Sequence, residues 1–247
     1  MKATLDMMGI REFAGIIDTA ARHLGEGTAN ITEEGITLKG INKAHVVYIE
    51  TVIYNTFFTE YQDAEERIGL DYEELSTIIK SITSSNEATI NINDKEVRVD
   101  AVNNEGVLRT FTIPTLTYEY TAPTRPEIKY NEYIDIPISV LESALRDATL
   151  IRKITSSEAL KIRTTEDHII FSAGEEGMGA FRAEYLHGCR VTKPQEAMYS
   201  REHLQGLLPR ISDTVSLGFK DDSPLHLQIR GDGVDFEALI APRITED

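Results

Sequence analysis

Residues 115–130, TLTYEYTAPTRPEIKY, stand near the middle of a chain of 247 residues, and what flanks them decides the fold. Immediately before them runs NNEGVLRTFTIP, ending at Pro114, and a matching segment, RGDGVDFEALIAP, ends at Pro242. Each is a polar glycine turn, then an alternating strand, then an aliphatic stop at proline. The two prolines lie about half a chain length apart, the spacing expected of two copies of one unit joined by a connector. Pro123 and Pro126 suit an extended connector, because proline fixes φ and biases its predecessor toward extended backbone. The sequence therefore predicts an N-terminal domain over 1–114, a linker over 115–130 and a C-terminal domain over 131–247.

Reading outward from the linker, the two halves repeat one order of elements. Ile10, Phe13, Ile17, Ala20 and Leu24 recur at helical spacing and predict a helix over 9–24 that stops at Gly25. Asp71 should cap a second helix over 71–82, with Tyr72, Leu75, Ile78, Ile79 and Ile82 inward. In the second half, Ser139 is the expected cap of a helix over 139–153 that turns Leu141, Ala144, Leu145, Ala148 and Ile151 inward. A fourth helix over 200–211 carries Leu204, Leu207, Leu208 and Ile211, and Pro209 should kink or shorten it. Between these lie short alternating segments, among them HVVYIETVI, ATININ and EVRVDAV, then ALKIRT, HIIFSA, MGAFRAEYL and PLHLQIR, separated by turn residues. The expected class is α+β, two similar domains in which two helices pack on one face of antiparallel sheets.

The chain carries 41 acidic against 25 basic residues, a net charge of −16. Taken as a whole, that balance opposes any nucleic-acid partner, since phosphate binding needs a basic surface. The distribution changes the conclusion. The four predicted helices hold Arg11, Arg22, Lys80, Arg146, Arg152, Lys153, Arg201 and Arg210 with an equal number of acids, so strands and loops carry the whole net charge. Screening limits each charge to about 8 Å, so a neutral helix face can tolerate phosphate while the rest of the surface repels it.

No enzyme signature is present: the sequence has no GxxxxGK, HExxH, CxxC or GxSxG. His23, His45, His168, His187, His203 and His226 are scattered without ligand spacing and read as surface or strand residues. Neither catalytic nor metal-binding residues are expected, and no cofactor. Cys189 stands alone, which fits a reducing compartment and a small buried hydrophobe. No apolar run approaches the roughly 18 residues of a membrane span, and MKATLDMMGIREF carries acids where a signal peptide has its apolar core. A cytoplasmic protein is expected.

The doubled architecture, HVVYIE after GITLKGINKA, the helix ending STIIK, GEEGMGAFR, the central linker and above all the ending LIAPRITED resemble the sliding clamp family of proliferating cell nuclear antigen, most closely its archaeal members. The resemblance covers essentially the whole chain. It implies a ring of three subunits, as homotrimer or heterotrimer, in which helices line a hole around duplex DNA and sheets face outward. It implies a non-enzymatic processivity factor, associated with the nucleoid in replication and repair. Its partners would be double-stranded DNA, held without sequence preference, and DNA polymerase, clamp loader, flap endonuclease and ligase, recruited through short peptides. A clamp-like adaptor or dedicated heterotrimer subunit is the alternative.

Carried over by position, the resemblance implies DNA-facing roles for Arg11, Arg22, Lys80, Arg146, Lys153 and Arg210. The first helix departs from the family at Ala14, Gly15 and Ala21, where some members carry lysine. The peptide groove would use Ile41, His45, Val46, Tyr48, Leu116, Tyr118, Pro123, Pro126, Tyr130, Pro224, Leu239, Ala241 and Pro242. Subunits would join through Leu108, Phe111 and Ile113 of one copy and Met178, Phe181 and Tyr185 of the next, closing both sheet edges.

Overall fold

A computed structural model describes residues 1–63, 65–117, 124–130, 132–155, 158–175, 179–186, 188, 191 and 193–243. Contacts divide the chain into two compact units: Met1–Arg125 with Pro209–Ile211 and Arg230–Phe236, and Pro126–Leu208 with Ser212–Ile229 and Glu237–Asp247.

The first unit runs β1 (Lys2–Asp6), α1 (Met7–Leu24), β2 (Glu26–Thr32), β3 (Gly35–Ile41), β4 (Val47–Tyr54), β5 (Glu60–Gln62), β6 (Glu66–Asp71), α2 (Tyr72–Ser81), β7 (Glu87–Ile92), β8 (Glu96–Val102) and β9 (Leu108–Pro114). One sheet has the order β5-β1-β7-β8-β9; in the other, β6, β2, β3 and β4 are successive neighbours, and all described pairs are antiparallel. Helix α1 starts two residues before the expected Gly9, because the Asp6 carboxylate accepts a 2.8 Å bond from the Gly9 N–H and caps it. It ends at Gly25, whose φ of 68° suits glycine and whose N–H closes on the Ala21 carbonyl. Asp71 caps α2 as expected, accepting from Glu74. Ile10, Phe13, Ile17, Leu75 and Ile79 fill the space between helices and strands. Tyr72 is fully buried against Gly27, where a Cβ would lie 2.5 Å from its ring, and its hydroxyl donates to the Thr28 carbonyl.

The second unit repeats the plan: β10 (Ile134–Pro137), α3 (Ile138–Thr155), β11 (Ala159–Thr164), β12 (His168–Glu175), β13 (Gly179–Leu186), β14 (Glu196–Ser200), α4 (Arg201–Gln205), β15 (Thr214–Gly218), β16 (Leu225–Gly231) and β17 (Val234–Ile240). Its strands follow the orders β13-β12-β11-β14 and β10-β15-β16-β17. Leu141, Leu145, Phe171, Leu204, Val215 and Leu227 form the core.

Three expectations are corrected. Ser139 lies inside α3 and is not its cap; β10 pairs with β15 up to Pro137, and the Ile138 N–H then donates to the Asp213 carbonyl, so strand pairing sets the helix start. Helix α4 is shortened, as Pro209 led one to expect, but to a single turn that ends at Gln205 and not near Ile211. Leu207 still closes on Leu204, but Pro209 offers no N–H, and Arg210 is left outside the helix. Strands β5 and β14 are present where none was expected.

Glu12 supplies a test of the packing around α1. Burial pushes its carboxyl above the ordinary value, and Asp232 and then Asp6 add to the effect. A carboxyl raised in the folded state gives stability that is full below its unfolded pKa and is lost as pH rises through the folded one. Glu12→Gln is expected to raise the melting temperature at pH 7, the gain shrinking as the pH falls into the carboxylate range. No gain at pH 7 would contradict that environment.

Candidate functional site

The predicted DNA-facing bases separate by unit. Arg11, Arg22, Lys80 and Arg210 belong to the first and Arg146 to the second, and all five side chains are exposed. The Lys153 side chain lies outside what the structure describes. On the α1–α2 surface, Arg22 Nε meets Asp18 Oδ2 at 2.9 Å and Lys80 Nζ meets Asp18 Oδ1. Burial pushes the Asp18 carboxyl up, but the bonds and charges of Lys80 and Arg22 outweigh it and hold the group below the ordinary value. Arg11 Nε reaches the Thr83 carbonyl at 3.4 Å, just past the end of α2. The Arg210 backbone nitrogen passes 3.9 Å from where a Cβ on Gly15 would lie, so the small residue at that point of α1 faces the 209–211 segment. Arg201, counted above among the helix bases, is 4% exposed, and its Nη1 donates to Thr149 and Gln205. It is an internal strut between α3 and α4, which its sequence position did not reveal.

The residues expected to form a peptide groove also occupy each unit separately. In the first, Ile41 pairs with Tyr48 across β3 and β4, around a turn organised by Asn42. The Asn42 carboxamide oxygen accepts from Val46 and Val47, its N–H donates to the Val47 carbonyl, and its carbonyl accepts from His45. This holds His45 exposed at φ 56° and leaves Val46 and Ile41 half-buried. Asn42 is thus the organiser of this turn. Tyr48 is only 4% exposed, with its hydroxyl on Glu50, and Leu239 is 6% exposed. Both side chains are mostly strand core. Leu116 hydrogen-bonds to the Gly69 carbonyl, and Gly69 must be glycine because a Cβ there would come within 2.9 Å of Leu116. The linker's start is thereby docked on β6. Tyr118 and Pro123 lie outside the described residues.

In the second unit, the Tyr130 hydroxyl donates to the Pro224 carbonyl at 2.8 Å, joining two of the expected groove residues. Pro126 is exposed, and Ala241 and Pro242 are half-buried, with Pro242 bridged to Tyr199 of β14. The Tyr199 hydroxyl is bonded to the Ser223 carbonyl, and burial pushes its pKa up. Beside Tyr130 sits His226, 1% exposed, with Nδ1 2.8 Å from the Tyr133 hydroxyl and Nε2 3.2 Å from Glu237, which also accepts from Gln228. A carboxylate at Nε2 selects the Nε2–H tautomer, so Nδ1 accepts from Tyr133. The Tyr130 and Tyr133 rings pack 5.7 and 5.6 Å from the imidazole. A polar network therefore anchors the end of the linker to β16 and β17. Sequence alternation could not single out His226, because Leu225, His226 and Leu227 are all buried.

Among the expected subunit contacts, Leu108 is 60% exposed, while Phe111, Ile113, Phe181 and Tyr185 are half-buried along β9 and β13. Met178 lies outside the described residues. Among those described, no group of His, Cys, Asp and Glu is placed to hold a metal ion, and no helix is long and apolar enough to cross a membrane.

Comparison with known proteins completes the assignment. Residues 11–110 match the family model for the N-terminal domain of proliferating cell nuclear antigen. The DNA polymerase sliding clamp of Methanothermobacter thermautotrophicus is 31% identical over 232 residues, covering 92% of each chain, and that of Pyrococcus horikoshii is 26% identical over 249 residues, 96% of this chain and 97% of its own. The crystal structure of proliferating cell nuclear antigen from Thermococcus kodakaraensis matches with a TM-score of 0.86 at 19% identity, over 98% of this chain and 99% of that one. A chain of the PCNA2–PCNA3 complex from Sulfolobus tokodaii matches with a TM-score of 0.85 at 19% identity, over the same shares. Repeated units, segregated charge and identity across nearly the whole chain converge, and the protein belongs to the DNA polymerase sliding clamp family.

Proposed function

We propose that this chain is a subunit of a three-membered ring that encircles duplex DNA without reading its sequence and tethers DNA polymerase and other DNA enzymes to it. The observation that carries the reading is the state of the sheet edges. Among the described strands, β5 and β10 are short edges, β6 is covered by Leu116, and β14 by Pro242 and Arg243. Strands β9 and β13 are long and paired on one side only, with no buried residue in either. Leu108 and Leu186 stand exposed at 60% and 64%. A long open edge is a site for pairing with another chain, and two such edges on one subunit support head-to-tail closure.

DNA contact falls to Arg11, Arg22, Lys80, Arg146 and Arg210, too few to grip and suited to loose phosphate contact, while the acidic remainder repels DNA approaching from outside. Client proteins bind as short peptides with apolar anchors; Ile41 and Val46 serve them in the first unit, and Pro126, Tyr130, Pro224, Ala241 and Pro242 in the second. The protein acts where the cell's DNA is, without catalysis of its own.

Light scattering on the purified chain is expected to give three times the mass of one chain. A persistent monomer would remove the homotrimer, and a trimer formed only with a sister subunit would identify a dedicated heterotrimer member. Replacing Lys80, Arg146 and Arg210 together by Glu should cut polymerase stimulation on primed DNA by about tenfold or more, with client-peptide binding unchanged; unaltered stimulation would rule out the DNA-facing assignment. Val46→Asp, at a half-buried rim position, should weaken a client peptide by about tenfold or more. Equal affinity would remove the groove.

A further inference from the structure

We infer that Asp18 is a resident competitor of DNA phosphate, a positioning residue that holds Arg22 and Lys80 ready and limits how tightly they bind. The inference rests on the DNA-facing reading of the α1–α2 surface and adds to it a residue of opposite charge.

The geometry is specific. Arg22 stands one turn along α1 from Asp18, and its Nε–H meets Oδ2 at 2.9 Å; Lys80, from the last turn of α2, takes Oδ1, which Ser76 also approaches at 3.4 Å. The carboxylate side chain is 21% exposed, against 61% for Arg22 and 50% for Lys80. The anion is therefore recessed between the helices while the two cations remain open to solvent. Two cations share one anion, so the cluster keeps a single net positive charge. The depressed Asp18 pKa agrees with that sharing.

A phosphate arriving from solvent meets cations already oriented by Asp18, and each bond it makes replaces one to the carboxylate. Lys80 Nζ–H and Arg22 Nε–H exchange a carboxylate oxygen for a phosphate oxygen, and on departure the carboxylate takes them back. Exposed ion pairs are weak enough for this exchange to be easy in both directions. The cations are not left bare between contacts, so no contact becomes a deep trap. A clamp with few lining bases thereby keeps its attraction to phosphate both available and shallow, which is what movement along DNA needs.

The salt dependence of binding to a short labelled duplex, between about 50 and 200 mM salt, reads this directly, because each cation that neutralises a phosphate contributes a slope of about −0.9. Asp18→Asn should steepen the slope by about 0.9 for each subunit in contact, as the charge of the cluster rises by one, and should slow diffusion of the loaded ring. Asp18→Glu should restore the parent slope. Adding Lys80→Gln to Asp18→Asn should take back about 0.9. Melting curves and assembly mass identify any misfolded variant, and Asp18→Ser then serves as the second neutral replacement. If neither neutral replacement steepens the slope while Lys80→Gln alone flattens it, the inference fails and the DNA-facing reading stands. If Arg22→Gln and Lys80→Gln also leave the slope unchanged, both fail.

Discussion

The structure depends on what becomes of backbone hydrogen-bonding groups at the edges of its sheets. Every buried peptide group in a β-rich chain needs a partner, and an exposed strand edge is a standing invitation to another chain. This protein manages most edges within its own units. The linker's first residues bridge Gly69, the C-terminal segment bridges Tyr199, and two further edge strands are short. Among the described strands, β9 in the first unit and β13 in the second remain as long edges paired on one side only. Both edge strands alternate exposed and half-buried side chains along their length, unlike the interior strands, where alternate residues are fully buried. That contrast separates strands that complete a core from strands left with an open edge.

Electrostatics imposes the second constraint. A chain of net charge −16 that works on DNA must confine its attraction to a limited surface and keep it weak. The cations proposed to face DNA are few, those whose side chains are described are exposed, and three have partners close by: Asp18 for Arg22 and Lys80, and the Thr83 carbonyl for Arg11. Not every helix cation belongs to this set. Arg201 is folded inward, where Thr149 and Gln205 accept from its Nη1.

The two units solve similar packing problems by similar means. A tyrosine ring packs against a strand glycine in both, Tyr72 at Gly27 and Tyr133 at Gly218. Each tyrosine hydroxyl is satisfied, by the Thr28 carbonyl in one case and by His226 in the other. The buried His226 and the half-buried Glu237 also show how a polar network can tie a linker to a sheet.

Much of this was legible in the sequence, because the governing signals are local. Helical periodicity located α1, α2 and α3, Asp71 and Gly25 marked a start and a stop, and the repeated turn–strand–proline segment revealed the doubling. Local signals also misled: Leu207, Leu208 and Ile211 extend the apolar spacing of α4 past the point where Pro209 ends it, and Ser139 resembled a cap that strand pairing made unnecessary. Strands β5 and β14 escaped notice because they are short, and a three-residue EYQ becomes a strand only through pairing with Lys2, Ala3 and Thr4. The sequence by itself thus determined the repeat, the class and the charge balance, all properties of neighbours along the chain. Only the tertiary structure decided which edges stay open, that Tyr48, Leu239 and Arg201 turn inward, and that Asp18 holds a lysine 62 residues away. Those outcomes depend on groups brought together across the fold, where spacing along the chain carries no information about distance in space.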